Sequence, residues 1–217
     1  MKKIIIALNL SLIFSLGAMA QQLKTVALDG TVSVQLPSDF KKVDTLGQQT
    51  YTASTAFGYV IVNRAPNPEN KTLTKEKDLQ NVFKEYIKKV QTSLSDGTIS
   101  KEHDTIVNKL MVHDFMLQTD TGAGVQLRQF RILYTKPATY TFQYLYDEMR
   151  KDVSAKEMND FFKNIKVADD VRGTDQYTTF GQSQGMSTPL KLGIIGGILL
   201  IVVLIIMLTR KRNTLTY

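Results

Sequence analysis

The sequence predicts an α+β fold, an antiparallel sheet carrying two main helices. Short runs of alternating apolar and polar residues recur between tight turns. Two further runs keep a helical period. Their order is strands, a long helix, four strands and a closing helix. Turns this short join antiparallel neighbours.

Residues 23–28 and 31–36 alternate around Asp29-Gly30, a hairpin signal, and Pro37 ends the second strand. Residues 50–56 and 59–62 form another pair around Phe57-Gly58. Residues 74–95 form the first helix, with Leu79, Val82, Phe83, Tyr86, Ile87, Val90 and Leu94 along one stripe and Asp96-Gly97 as its stop. Four strands follow, over 99–107, 110–119, 125–135 and 138–146, joined by turns at Asn108-Lys109, at 121–124 and at Lys136-Pro137. The last strand places Tyr140, Phe142, Tyr144 and Tyr146 on one face, as core beneath a helix. The second helix opens at Ser154, with Glu157 three residues on as a capping box. Met158, Phe161, Phe162 and Ile165 line one side of it.

The ends carry targeting signals. Lys2 and Lys3, the apolar stretch 4–16 and Ala18-Met19-Ala20 read as a signal peptide over 1–20, so the mature chain begins at Gln21. The extracytoplasmic domain then covers 21–167, and a polar linker covers 168–189. Residues 190–209 form about 30 Å of apolar helix, which matches the hydrocarbon thickness of a bilayer. Arg210-Lys211-Arg212 hold the short tail, 210–217, in the cytoplasm. The expected location is the bacterial cytoplasmic membrane, as a single-pass protein with its N-terminal domain outside. A cell-wall sorting signal has the same layout, but its Leu-Pro-x-Thr-Gly pentapeptide is absent.

Charge and composition exclude several function classes. Lys2, Lys3, Lys191, Arg210, Lys211 and Arg212 account for nearly all of the net charge of +7. The segment between them is nearly neutral, which argues against a nucleic-acid surface. With Cys absent there is no disulfide, thiol nucleophile or Cys-based metal site.

The segments "VSVQLPSDFKKV", "ATYTFQYLYDEM" and "SAKEMNDFFKNIKV", together with the central helix, resemble the PsbP/Mog1/DcrB-like superfamily over about residues 26–167. The resemblance implies an α/β/α sandwich and a non-enzymatic accessory or assembly role. No catalytic motif defines that superfamily, so it transfers no site residue and no cofactor.

His103-Asp104 and His113-Asp114 repeat ten residues apart. Around a turn at Asn108-Lys109 the two imidazoles fall nearly opposite each other, making His103 and His113 candidate ligands for a divalent metal. A solvated strand face is the competing account. Gly193 and Gly197, four apart in the apolar run, are candidate helix-dimer contacts that give a homodimer through the span. Gly181-Gln182-Ser183-Gln184-Gly185 matches G-x-S-x-G, but a nucleophile elbow needs a strand before it and a helix after it, and this one sits in the polar linker. Asn70-Lys71-Thr72 is a glycosylation sequon, meaningful only in a eukaryotic secretory route. There is no P-loop, H-E-x-x-H or G-x-G-x-x-G.

The sequence thus leads to a membrane-anchored extracytoplasmic binding or assembly module without catalysis and with no cofactor, acting on a protein partner at the outer face of the membrane. The alternative is a small-molecule or metal-binding carrier or enzyme that uses a pocket beside the sheet.

Overall fold

The computed structural model describes residues 22–69, 72–93 and 97–181. Its order is β1 (Leu23–Ala27), β2 (Val32–Pro37), β3 (Lys41–Thr45), β4 (Gln48–Ser54), β5 (Tyr59–Pro66), α1 (Glu76–Ser93), β6 (Thr98–Val107), β7 (Leu110–Asp120), β8 (Val125–Tyr134), β9 (Ala138–Asp147), α2 (Lys151–Lys163) and β10 (Lys166–Val167). Seven strands form one antiparallel sheet in the order β3-β4-β5-β9-β8-β7-β6. A small second sheet has the order β1-β2-β10.

Side-chain alternation divides the large sheet between two cores. On one face Phe115, Leu117, Phe130, Ile132 and Tyr134 pack against Leu79, Phe83 and Ile87 of α1. On the other, Val112, Met116, Leu127, Leu133, Tyr140, Phe142, Tyr144 and Tyr146 pack against α2 and the small sheet. The period of two along the strands sends neighbouring residues to opposite helices. The aromatic stripe of β9 is core, as its pattern predicts: Tyr140, Phe142 and Tyr144 are wholly buried. The result is a layered α+β sandwich with two helices and antiparallel sheets.

Four expectations are corrected. The expected single sheet is two sheets, because β2 takes its second partner from β10, more than a hundred residues away, and nothing local announces that pairing. Strand β3 is additional. Its residues Lys-Lys-Val-Asp-Thr are all exposed, so it lacks the alternation that marks a half-buried strand. Helix α2 opens at Lys151 rather than Ser154, and the Ser154 hydroxyl donates back to the Lys151 carbonyl. The linker expected from residue 168 is packed as far as Phe180. There Val171 and Tyr177 are buried, and the Thr178 and Thr179 amides donate to the carbonyls of Leu73 and Thr74.

Among the described residues no helix is long and apolar enough to cross a membrane. The signal peptide at 1–20, the span at 190–209 with Gly193 and Gly197, and the tail at 210–217 lie outside the described residues. So do Asn70 and Lys71 of the sequon and residues 182–185 of the G-x-S-x-G match.

Candidate functional site

The two histidines are not brought together. The two-residue turn at Asn108-Lys109 pairs Val107 with Leu110, and therefore His103 with Asp114 and Asp104 with His113. Neighbouring residues of a strand face opposite sides, so the imidazoles lie on opposite faces of the sheet. His113 is on the α1 side. Its ring stacks on Phe83, its Nδ1 lies 2.7 Å from an Asp104 oxygen, and its Nε2 is buried without a hydrogen bond. His103 is mostly exposed on the α2 side, 3.8 Å from Asp114. Asp114 is itself clamped by Arg131, which donates through Nε at 2.8 Å and Nη2 at 2.7 Å. Among the described residues no group of three His, Asp or Glu side chains is arranged to hold a metal ion. The register thus separates the imidazoles of His103 and His113.

A groove beside α2 is the best-formed site. Its cavity volume is about 430 Å³. Helical spacing puts Val153, Lys156, Glu157, Asp160, Phe161 and Asn164 on one wall. Leu23, Gln35 and Pro37 of the small sheet form another, and the β4–β5 turn, Thr55 to Phe57, closes one end. Val60 and Tyr144, paired across β5 and β9, make the floor. Leu23, Phe57 and Val153 stand 52%, 41% and 54% exposed around the rim, which is high for large apolar side chains placed together.

One carboxylate organises the closed end. Glu157 accepts hydrogen bonds from the Ala56 and Phe57 amides, each at 3.1 Å, and from the Tyr144 hydroxyl at 2.7 Å. Thr55 Oγ1 lies 3.3 Å from the same hydroxyl and accepts from the Gly58 amide at 2.9 Å. Burial, with Glu157 alongside, raises the Tyr144 phenol well above its ordinary value, so it stays protonated and donates. Glycine is required at position 58. A Cβ there would overlap the Leu145 carbonyl oxygen and meet the Tyr144 ring at 2.8 Å. On the groove wall Lys156 pairs with Asp160 at 2.7 Å, an exposed contact one helical turn long.

The sequence reading missed Glu157 as a groove residue because S-x-x-E resembles a cap. Phe57 beside Gly58 was the available signal, since a large aromatic in a tight turn is poorly placed for a core.

No family model matches the chain, and no curated protein matches it. Solved structures do. The chain is similar to cyanobacterial PsbP (CyanoP) from Synechocystis sp. PCC 6803, with a TM-score of 0.51 and 13% identity, over 70% of this chain and 96% of that one. PA94 of Pseudomonas aeruginosa, a protein of unknown function, gives a TM-score of 0.43 and 8% identity over 64% of this chain and 92% of that one. LpqN, involved in cell envelope biogenesis of Mycobacterium tuberculosis, gives 0.42 and 9% over 68% and 91%. At such identities the likeness is one of fold alone. By its layers, the two helices among its described residues and its antiparallel sheets, this chain has a PsbP-like fold.

Proposed function

We propose that this protein is a non-catalytic binding or assembly module, held at the outer face of a bacterial cytoplasmic membrane and engaging a protein partner through the groove beside α2. The observation that carries this reading is the apolar rim of Leu23, Phe57 and Val153 around an open cleft. Contiguous exposed apolar side chains mark interaction surfaces. The titratable groups of the groove already have structural partners: Glu157 holds the β4–β5 turn, and Lys156 pairs with Asp160. Neither arrangement suits proton transfer to a substrate.

The groove and the C-terminal strap occupy opposite ends of β9. The groove lies where β9 ends, while the strap, the packed segment running to Phe180, meets the opposite end, where the Lys136 amide donates to the Asp175 carbonyl. The anchored, outward-facing placement rests on the leader at 1–20 and the apolar run at 190–209.

A second reading, a small-molecule carrier, is favoured by the cavity volume, which falls in the range of ligand pockets. Site-specific photo-cross-linking in membranes separates the two. A cross-linker at position 153 is expected to trap a polypeptide adduct, and one at position 109, at the other end of the sheet, is expected to trap none. Equal adducts at both positions, or none at 153, would overturn the protein-partner reading.

A further inference from the structure

Glu157 fills a site whose donors suit any carboxylate. A helix-surface glutamate ordinarily leaves its oxygens in water. Here Oε1 takes the Ala56 amide, and Oε2 takes both the Phe57 amide and the Tyr144 hydroxyl. Two successive backbone N–H groups form an anion-binding concavity, and the phenol adds a third donor. The same cavity is lined by the exposed Leu23 and Val153, with the buried Val60 and Phe161 beneath them. A carboxylate nest with an apolar pocket next to it is the arrangement that captures a peptide C-terminus.

We infer that the groove receives the C-terminal residues of a partner polypeptide. The incoming terminal carboxylate displaces Glu157 from the Ala56 and Phe57 amides, and the last apolar side chains fill the groove. Glu157 is then an internal occupant that holds the site closed until the partner arrives. The inference rests on the reading of the groove as a partner surface, and it names the chemistry that surface takes. A peptide fits better than an acyl chain. The walls also carry Gln35 and Asn164, whose polar groups can pair with peptide amides. A hydrocarbon tail would cover them without replacing their hydrogen bonds to water.

The test uses the full chain in lipid nanodiscs, with empty nanodiscs as the blank. The probes are fluorescein-labelled hexapeptides ending in Leu-Val, Leu-Phe or Val-Leu, each as a free acid and as a C-terminal amide, and dodecanoate is a competitor. Fluorescence anisotropy is expected to show the acids binding roughly tenfold more tightly than the amides. Replacing Glu157 by Ala removes the internal competitor, so acid affinity rises on the order of tenfold while amide affinity stays level. Val153→Asp weakens both, and Tyr144→Phe weakens the acids alone. Equal binding of acid and amide overturns the inference. So does unchanged or weaker acid binding in a Glu157→Ala chain that still melts cooperatively, or binding of dodecanoate without any peptide. If Glu157→Ala does not fold, the acid–amide comparison and Tyr144→Phe decide. Equal acid and amide binding that Val153→Asp abolishes removes the carboxylate inference and leaves the groove as a partner surface. Loss of the inference together with no adduct at position 153 removes both.

Discussion

Asp29 ties together three parts of the chain with one carboxylate. Its Oδ1 accepts from the amides of Thr31 and Val32 and from the Thr31 hydroxyl. Its Oδ2 accepts from Arg64 Nε at 2.8 Å and from the Tyr140 hydroxyl. Burial pushes this carboxyl up, but the hydrogen bonds from Arg64, Tyr140 and Thr31 outweigh it and bring it from 3.8 to about 2. The folded value is below the unfolded one, so the stabilisation is complete above about pH 4 and is lost as pH falls toward 2. Solvent screening at this partly exposed site reduces it to on the order of 1 kcal/mol. Thermal melts between pH 2 and 5 should therefore show an acid limb, and Asp29→Asn should flatten it. An unchanged limb would mean that other carboxylates set the acid stability. Gly58→Ala should cost about 1–3 kcal/mol in urea unfolding, because the new Cβ meets the rigid floor of the groove. At this scale Asp29-Gly30 was legible as a turn. Its bonds to Arg64 and Tyr140 were not, since those partners are 35 and 111 residues distant.

At the scale of elements, the stretch after β10 behaves as a strap. Gln176 is wholly buried. Its Oε1 accepts from the Met111 amide at 2.8 Å, and its Nε2 donates to the carbonyls of Met111 at 2.7 Å and Tyr134 at 3.0 Å. It thereby hydrogen-bonds backbone groups at the ends of β7 and β8. Gln176→Ala should cost roughly 3 kcal/mol, since it removes three hydrogen bonds made by a wholly buried side chain. A chain covering 22–167 should melt below one covering 22–181, and equal midpoints would show that the strap adds nothing. Composition misled here because Gly, Thr, Asp and Gln suit a linker as well as a strap. The β6–β7 hairpin carries a related lesson. Its turn was legible from Asn108-Lys109, yet a register offset of one residue decides which face each histidine takes. Hydrophobic pattern fixes register well where one face is buried, and β6 is almost wholly exposed.

For the whole molecule, the arrangement along β9 matters most. The groove sits at one end of that strand and the strap crosses the other. If residues 190–209 span the membrane, protease added to spheroplasts should digest the domain and spare an epitope fused after Tyr217. Protection of the domain would overturn the outward orientation. If that tether serves a membrane partner, a chain lacking 190–217 should lose the adduct at position 153 at normal abundance and regain part of it on overexpression, because tethering raises effective concentration.

The sequence by itself determined the α+β class, both helices, most strands and the buried stripe of β9. Each of these is written in local periodicity, and a period of two or of 3.6 residues needs only its neighbours to be read. Only the tertiary structure decided the rest. The pairing of β2 with β10 divided the strands into two sheets. Gln176 closed the ends of β7 and β8. Glu157 met the Ala56 and Phe57 amides across about a hundred residues of chain. These contacts join single residues far apart in sequence, and a lone Glu, Gln or Asp looks the same in the sequence whether solvent or a distant backbone amide takes its hydrogen bonds.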